Sequence, residues 1–170
     1  MKVQLVLKAI LFALLLAGIG LAVVPYFVLS LDGRAEWPTI SILVFFAGLF
    51  GLLCVAALLH CMWGFALHGK GTLAPVDPPK VLVVHGLYRY TRNPMYVADL
   101  GVLLSEAVFF SSFGLLIYAS LGFLSLHLFV LLYEEPHLKR RFGGLYEEYC
   151  RLIPRWTITL RPFPIGNRTT

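Results

Sequence analysis

Four apolar runs divide the chain. Residues 9–31 are broken only by Ser30, and residues 39–67 only by Thr39, Ser41 and His60. Residues 95–113 and 114–133 follow one another directly, with Ser111 and Ser112 near the join. A helix needs about 20 residues at roughly 1.5 Å each to cross the hydrocarbon of a bilayer. The pattern therefore predicts an all-α integral membrane protein with four transmembrane helices, a single domain over residues 1–170. The first two runs are longer than needed and predict tilted helices. Ser111, Ser112, Phe113 and Gly114 predict a tight helical hairpin turn. The leucine-rich run after Met1 and Lys2 exceeds the roughly 7–15 residues of a signal-peptide core and has Lys8 in its start, so it reads as a span.

Two polar segments, 68–94 and 134–157, complete the pattern. Residues 68–80 are rich in Gly and Pro and predict a loop without helix. The stretch Val81, Leu82, Val83, Val84 is β-branched and too short to span, and His85-Gly86 reads as a turn. Exposed backbone of this kind is tolerated near a bilayer only where it meets protein, water or a ligand, so it is a candidate binding element. Pro94 pre-sets a helical φ and Asn93 before it reads as an N-cap. The third helix should thus start near Pro94, with a positive end suited to an anionic group. From Glu134 to about Arg151, Leu138, Phe142, Leu145 and Tyr149 recur at helical spacing with charges on the other faces. That predicts an amphipathic helix, weakened or bent by Gly143-Gly144. It either lies on the membrane surface or closes over a cavity formed by the Pro-rich loop and the ends of the third and fourth spans. Trp37, Trp63 and Trp156 read as interfacial anchors.

Composition and charge sharpen this. Hydrophobic residues make up 59% of the chain and charged residues 14%, more apolar surface than a soluble domain of this size can bury. With four spans, Lys2, Lys8, Lys70, Lys80, Arg89, Arg92, Lys139, Arg140, Arg141, Arg151, Arg155, Arg161 and Arg168 fall on one side and Arg34 alone on the other. Positive-inside asymmetry makes the basic side cytoplasmic, with both termini inside, and places the protein in a membrane such as the bacterial inner membrane. The net charge of +5 needs anionic lipid headgroups as partners and no nucleic acid. Cys54, Cys61 and Cys150 lack metal-like spacing and read as packing residues, so no metal is expected.

Polar residues inside the spans are the candidate chemistry, because an intramembrane carboxylate costs several kcal/mol unless paired or hydrated. Asp99 and Glu106 are seven apart and share a face. Asp99, about one turn inside, either contacts substrate or cofactor or is simply hydrated near the interface; as a base it would suit an amine acceptor. Glu106 reads as a snorkelling or helix–helix contact. His127 is seven residues before Glu134 and so shares its face; it either lines an acceptor tunnel or is a hydrogen-bonded core histidine. His60 has a weaker claim. Arg92 is a catalytic candidate beside Asp99, and the alternative for Arg89 and Arg92 is headgroup contact or pairing with Glu134 or Glu135.

The ordered series Gly71–Pro75, Gly86–Tyr90, Arg92–Tyr96, Glu134–Leu138, Phe142-Gly143, Tyr146–Tyr149 and Ile153–Trp156 resembles the isoprenylcysteine carboxyl methyltransferases and their phospholipid N-methyltransferase relatives over residues 69–157. The resemblance implies S-adenosylmethionine as cofactor, a lipophilic or lipid-modified methyl acceptor and a cytoplasmic cofactor pocket. Carried over by position, it implies cofactor contacts at Lys80, Val81, Leu82, Val83, Tyr88, Asn93, Pro94, Met95, Tyr96 and Glu134. Members acting on prenylated proteins have histidine at the Asn93 position and a substrate-binding arginine at Val130, so the acceptor stays open as a carboxylate, an amine or a hydroxyl. In such a pocket Asn93 and the helix start could meet the cofactor carboxylate, Glu134 its ammonium or ribose, and Tyr88 and Tyr96 its sulfonium through cation–π attraction of about 0.5–2 kcal/mol.

Two other readings compete. Pro94–Asp99 also resembles a stretch of nicotinamide-dependent membrane sterol reductases, which typically have more spans. A non-catalytic subunit that keeps the fold and binds a partner helix is the third, and Glu134 argues against it.

Overall fold

The computed structural model describes residues 11, 15, 17–34, 37–68 and 81–164. All regular elements among these are helical. The first, α1 (Ile19–Leu31), opens with a wide π-turn over Ile19–Val23 and becomes α-helical at Val24. Next come α2 (Ile42–His68), a 3-10 turn over Gly86–Arg89, α3 (Pro94–Phe109) and α4 (Phe113–Phe129). A second π-turn over Val130–Glu134 carries α4 without a break into α5 (Glu135–Phe142), and α6 (Gly144–Leu152) follows. Both π-turns end two residues before a proline, Pro25 and Pro136. Proline has no N–H and its ring clashes with the carbonyl four residues back, so widening the preceding turn lets each helix continue through it.

Two helices are long and apolar enough to cross a membrane, Ile42–Gly64 and Phe113–Phe142. Their outer faces expose Phe45, Leu52 and Leu53 on α2 and Leu121, Leu124 and Leu128 on α4, an apolar area far beyond what a water-facing helix tolerates. Between them α3 is buried against α2 by small residues. A Cβ added to Gly51 would lie 2.5 Å from Ser105 Oγ, and one added to Gly101 would lie 2.5 Å from Cys54 Sγ. That closeness is the usual way helices approach when lipid supplies no hydrophobic drive.

Several expected boundaries move. The third span, expected over 95–113, has 16 residues and ends at Phe109. The hairpin turn is Phe110–Ser112, where Ser111 adopts a φ of +51°. Ser112 caps α4 by accepting from Leu115 N, and Asp32 accepts from both Ser112 Oγ and Gly114 N. The fourth span and the amphipathic helix, expected to part at Glu134, are one continuous rod to Phe142. The amphipathic segment is then broken rather than bent, because Gly143 takes a φ of +54° that only glycine adopts easily. The start of the expected first span and the loop residues 69–80 lie outside the described residues.

Beneath α6 a small core gathers Leu82, Val84, Tyr146, Tyr149, Ile153 and Phe163. It fixes the extended stretch from Val81 to Val84 and the segment after α6 against the same helix.

Candidate active site

Four segments converge at the start of α3. Tyr88 comes from the 3-10 turn, Tyr96 and Asp99 from α3, Cys61 from α2 and Glu134 from the π-turn. The Tyr96 hydroxyl donates to Glu134 Oε2 at 3.1 Å. Burial holds the Tyr88 phenol well above its ordinary pKa, and the nearby Cys61, Glu134 and Tyr96 add to the effect. Tyr88 is therefore a neutral phenol at any physiological pH. Asp99 lies within electrostatic reach of Tyr96 and Cys61. Its Oδ1 is buried without a hydrogen-bond partner among the described residues, and no ion pair holds Glu134 among them. Together these give two acids with unused acceptor capacity beside two aromatic rings, a lining suited to a cationic ligand.

Around this cluster runs a tightly bonded frame. Glu135 accepts from Arg155 through both oxygens, at 2.6 and 2.7 Å, and from Arg92 Nη1 at 2.8 Å. Arg92 Nη1 also reaches Cys150 Sγ at 3.0 Å. The Glu135 hydrogen bond raises the pKa of Arg155. Tyr149, whose phenol is also raised by burial, donates to Tyr88 O at 2.6 Å. The backbone from 89 to 93 is strapped by the segment after α6. Arg92 N donates to Pro154 O, Thr159 N to Tyr90 O and Phe163 N to Arg89 O.

The sequence-derived candidates separate on these facts. Tyr88, Tyr96, Asp99 and Glu134 are brought together. Asn93 stands at the N-cap position of α3 but makes no capping bond. Its amide Nδ2 donates to Arg155 O at 3.1 Å, which ties the side chain to the strap. Pro94 is buried, and Met95 packs against the Leu58, Met62 and Ala98 cluster. Leu82 is in the core under α6, Val83 is buried and Val81 is half-buried. Lys80 lies outside the described residues. Arg92 takes the structural alternative, a partner of Glu135, and Arg89 donates from Nε to Phe163 O rather than to an acid.

Two substrate candidates change meaning. His127 accepts from Trp156 Nε1 at 3.0 Å, which is the hydrogen-bonded alternative. It does not share the face of Glu134 as α-helical spacing implies, because one extra residue in the π-turn rotates later side chains by about 100°. Val130 is 1% exposed and offers no open wall. Glu106 has a buried oxygen without a partner among the described residues, so the expected helix–helix bond is not made among them.

Sequence reasoning missed Glu135–Arg155, the Tyr149 bond to the Tyr88 carbonyl and Cys61 as a neighbour of Asp99. These partners are far apart in sequence and follow no spacing rule. Arg151 and Arg155, charges within the otherwise largely apolar 149–156, were the one available signal.

The sequence model for phospholipid methyltransferases matches residues 42–144. No curated protein and no solved structure matches the chain.

Proposed function

We infer that this chain, which belongs to the phospholipid methyltransferase family, transfers a methyl group from S-adenosylmethionine to a lipophilic acceptor dissolved in the membrane. The reading includes four spans with the site facing the cytoplasm. Its main support is the gathering of Tyr88, Tyr96, Asp99 and Glu134 within the matched residues.

S-adenosylmethionine would supply a methyl group on a positively charged sulfur. Tyr88 and Tyr96 would lie beside that charge, and Glu134, bonded to the Tyr96 hydroxyl through one oxygen, would take an ammonium or ribose hydroxyl with the other. Asp99, deeper along α3, accepts the proton that an amine or hydroxyl acceptor must release on methylation. The apolar surroundings exclude water, and the frame around Glu135 keeps the acceptor and donor sites at a fixed separation.

Thermal unfolding in detergent tests the reading. S-adenosylhomocysteine should raise the Tm while NADP(H) leaves it unchanged. Stabilisation by NADP(H) alone would replace methyl transfer by the reductase chemistry, and stabilisation by neither would leave a non-catalytic subunit.

A further inference from the structure

The segment from Pro154 to Phe163 has no regular structure, yet it closes the region where α3 begins. Helix α3 has 16 residues, about 24 Å, against a hydrocarbon thickness of about 30 Å. If α3 reaches one boundary at its hairpin, its Pro94 end stops short of the other. Non-helical backbone at that depth is tolerated only when its polar groups are satisfied within the protein. The strap does this: it accepts from Arg92 N and the Asn93 amide and donates to Tyr90 O and Arg89 O.

A second observation fixes the depth independently. Trp156 stacks edge-on to Phe123 at 5.3 Å and lies 6.0 Å from His127. A crossing of about 20 residues counted from Phe113 ends near Tyr133, so Phe123 and His127 lie inside it. On the other side of the strap, Ile158 is 68% and Leu160 95% exposed. They add to the exposed apolar surface presented by Leu124 and Leu128 of α4 and Leu131 of the π-turn. Arg151 and Arg161, both exposed, flank this patch.

We propose that residues 154–161 form a re-entrant strap embedded in the leaflet next to the Glu134 end of the bundle, with Ile158 and Leu160 among acyl chains and Arg151 and Arg161 on lipid phosphates. The strap stands in for the turn that α3 lacks. The proposal does not depend on the chemistry of the site.

The test uses the full chain in phospholipid vesicles, with Trp37→Phe and Trp63→Phe leaving Trp156 as the reporter, and then with Leu160→Trp added. Vesicles brominated on the acyl chains should cut the emission added at position 160 about twofold or more, the behaviour of an indole within the interfacial zone. Emission at the wavelength of a water-exposed indole and unchanged by bromine overturns the proposal. Ile158→Trp serves as the same probe should Leu160→Trp not fold, and the same two outcomes decide it.

Discussion

The two ends of the α3–α4 pair solve the same problem in opposite ways. At the hairpin, one acid closes everything: Asp32 accepts from Ser112 and from Gly114 N, Ser112 caps α4, and the connection is three residues long. At the other end, adjacent acids are treated differently. Glu135 is saturated by two arginines, whereas Glu134 receives one tyrosine hydroxyl and Asp99 keeps a buried oxygen without a partner among the described residues. Asp32 and Glu135 are engaged within the chain, whereas Glu106, outside the candidate site, shares with Asp99 a buried oxygen without a partner among the described residues. What sets the candidate site apart is that two under-used acids, Glu134 and Asp99, meet beside Tyr88 and Tyr96.

That contrast can be broken at three points. The largest effect should come from Glu135→Ala, which strands two partly buried guanidinium groups. A fully buried pair broken in this way costs about 3–5 kcal/mol, and partial exposure reduces the expectation to about 2–3 kcal/mol, read as a fall in thermal stability in detergent. Next, Glu134→Gln should weaken S-adenosylhomocysteine binding about tenfold or more with little change in Tm, the scale of one charged hydrogen bond. Unchanged affinity removes Glu134 from the pocket. Smallest is Asp32→Ala, expected to lower stability by about 1 kcal/mol with ligand affinity untouched, as for a lost helix cap. A loss of affinity there would mean that the two ends are coupled.

Much of the architecture was readable because apolar length and periodicity are local properties. The runs predicted α2 and α4, and Ser111-Ser112 marked the hairpin. Charge and aromatic clustering before Pro94 pointed to the candidate site, where Tyr88, Tyr96, Asp99 and Glu134 come near one another. What hid from the sequence was set by competition between partners. Asn93 has the right type and place for a cap but makes no capping bond, and its amide is instead tied to the distant Arg155 carbonyl. Leu82 lies in a plausible binding stretch, but α6 buries its side chain. His127 and Glu134 are spaced for one face, but Pro136 widens the turn between them. Each of these depends on a residue from another segment or on a backbone choice that hydropathy does not register.

The widened turn before Pro136 also bears on how the chain tolerates changes in length. The turn holds one residue more than an ordinary helical turn, so deleting a single residue between Val130 and Glu134 would return the rod to ordinary pitch with the residues beyond it still on their faces. A further single-residue insertion has no such outlet: it would swing Glu134 away from Tyr96 and Glu135 from its arginines by about 100°, while the apolar outer surface stayed as greasy as before. Such an insertion would pass unnoticed in a hydropathy plot and still dismantle the cluster around Tyr96.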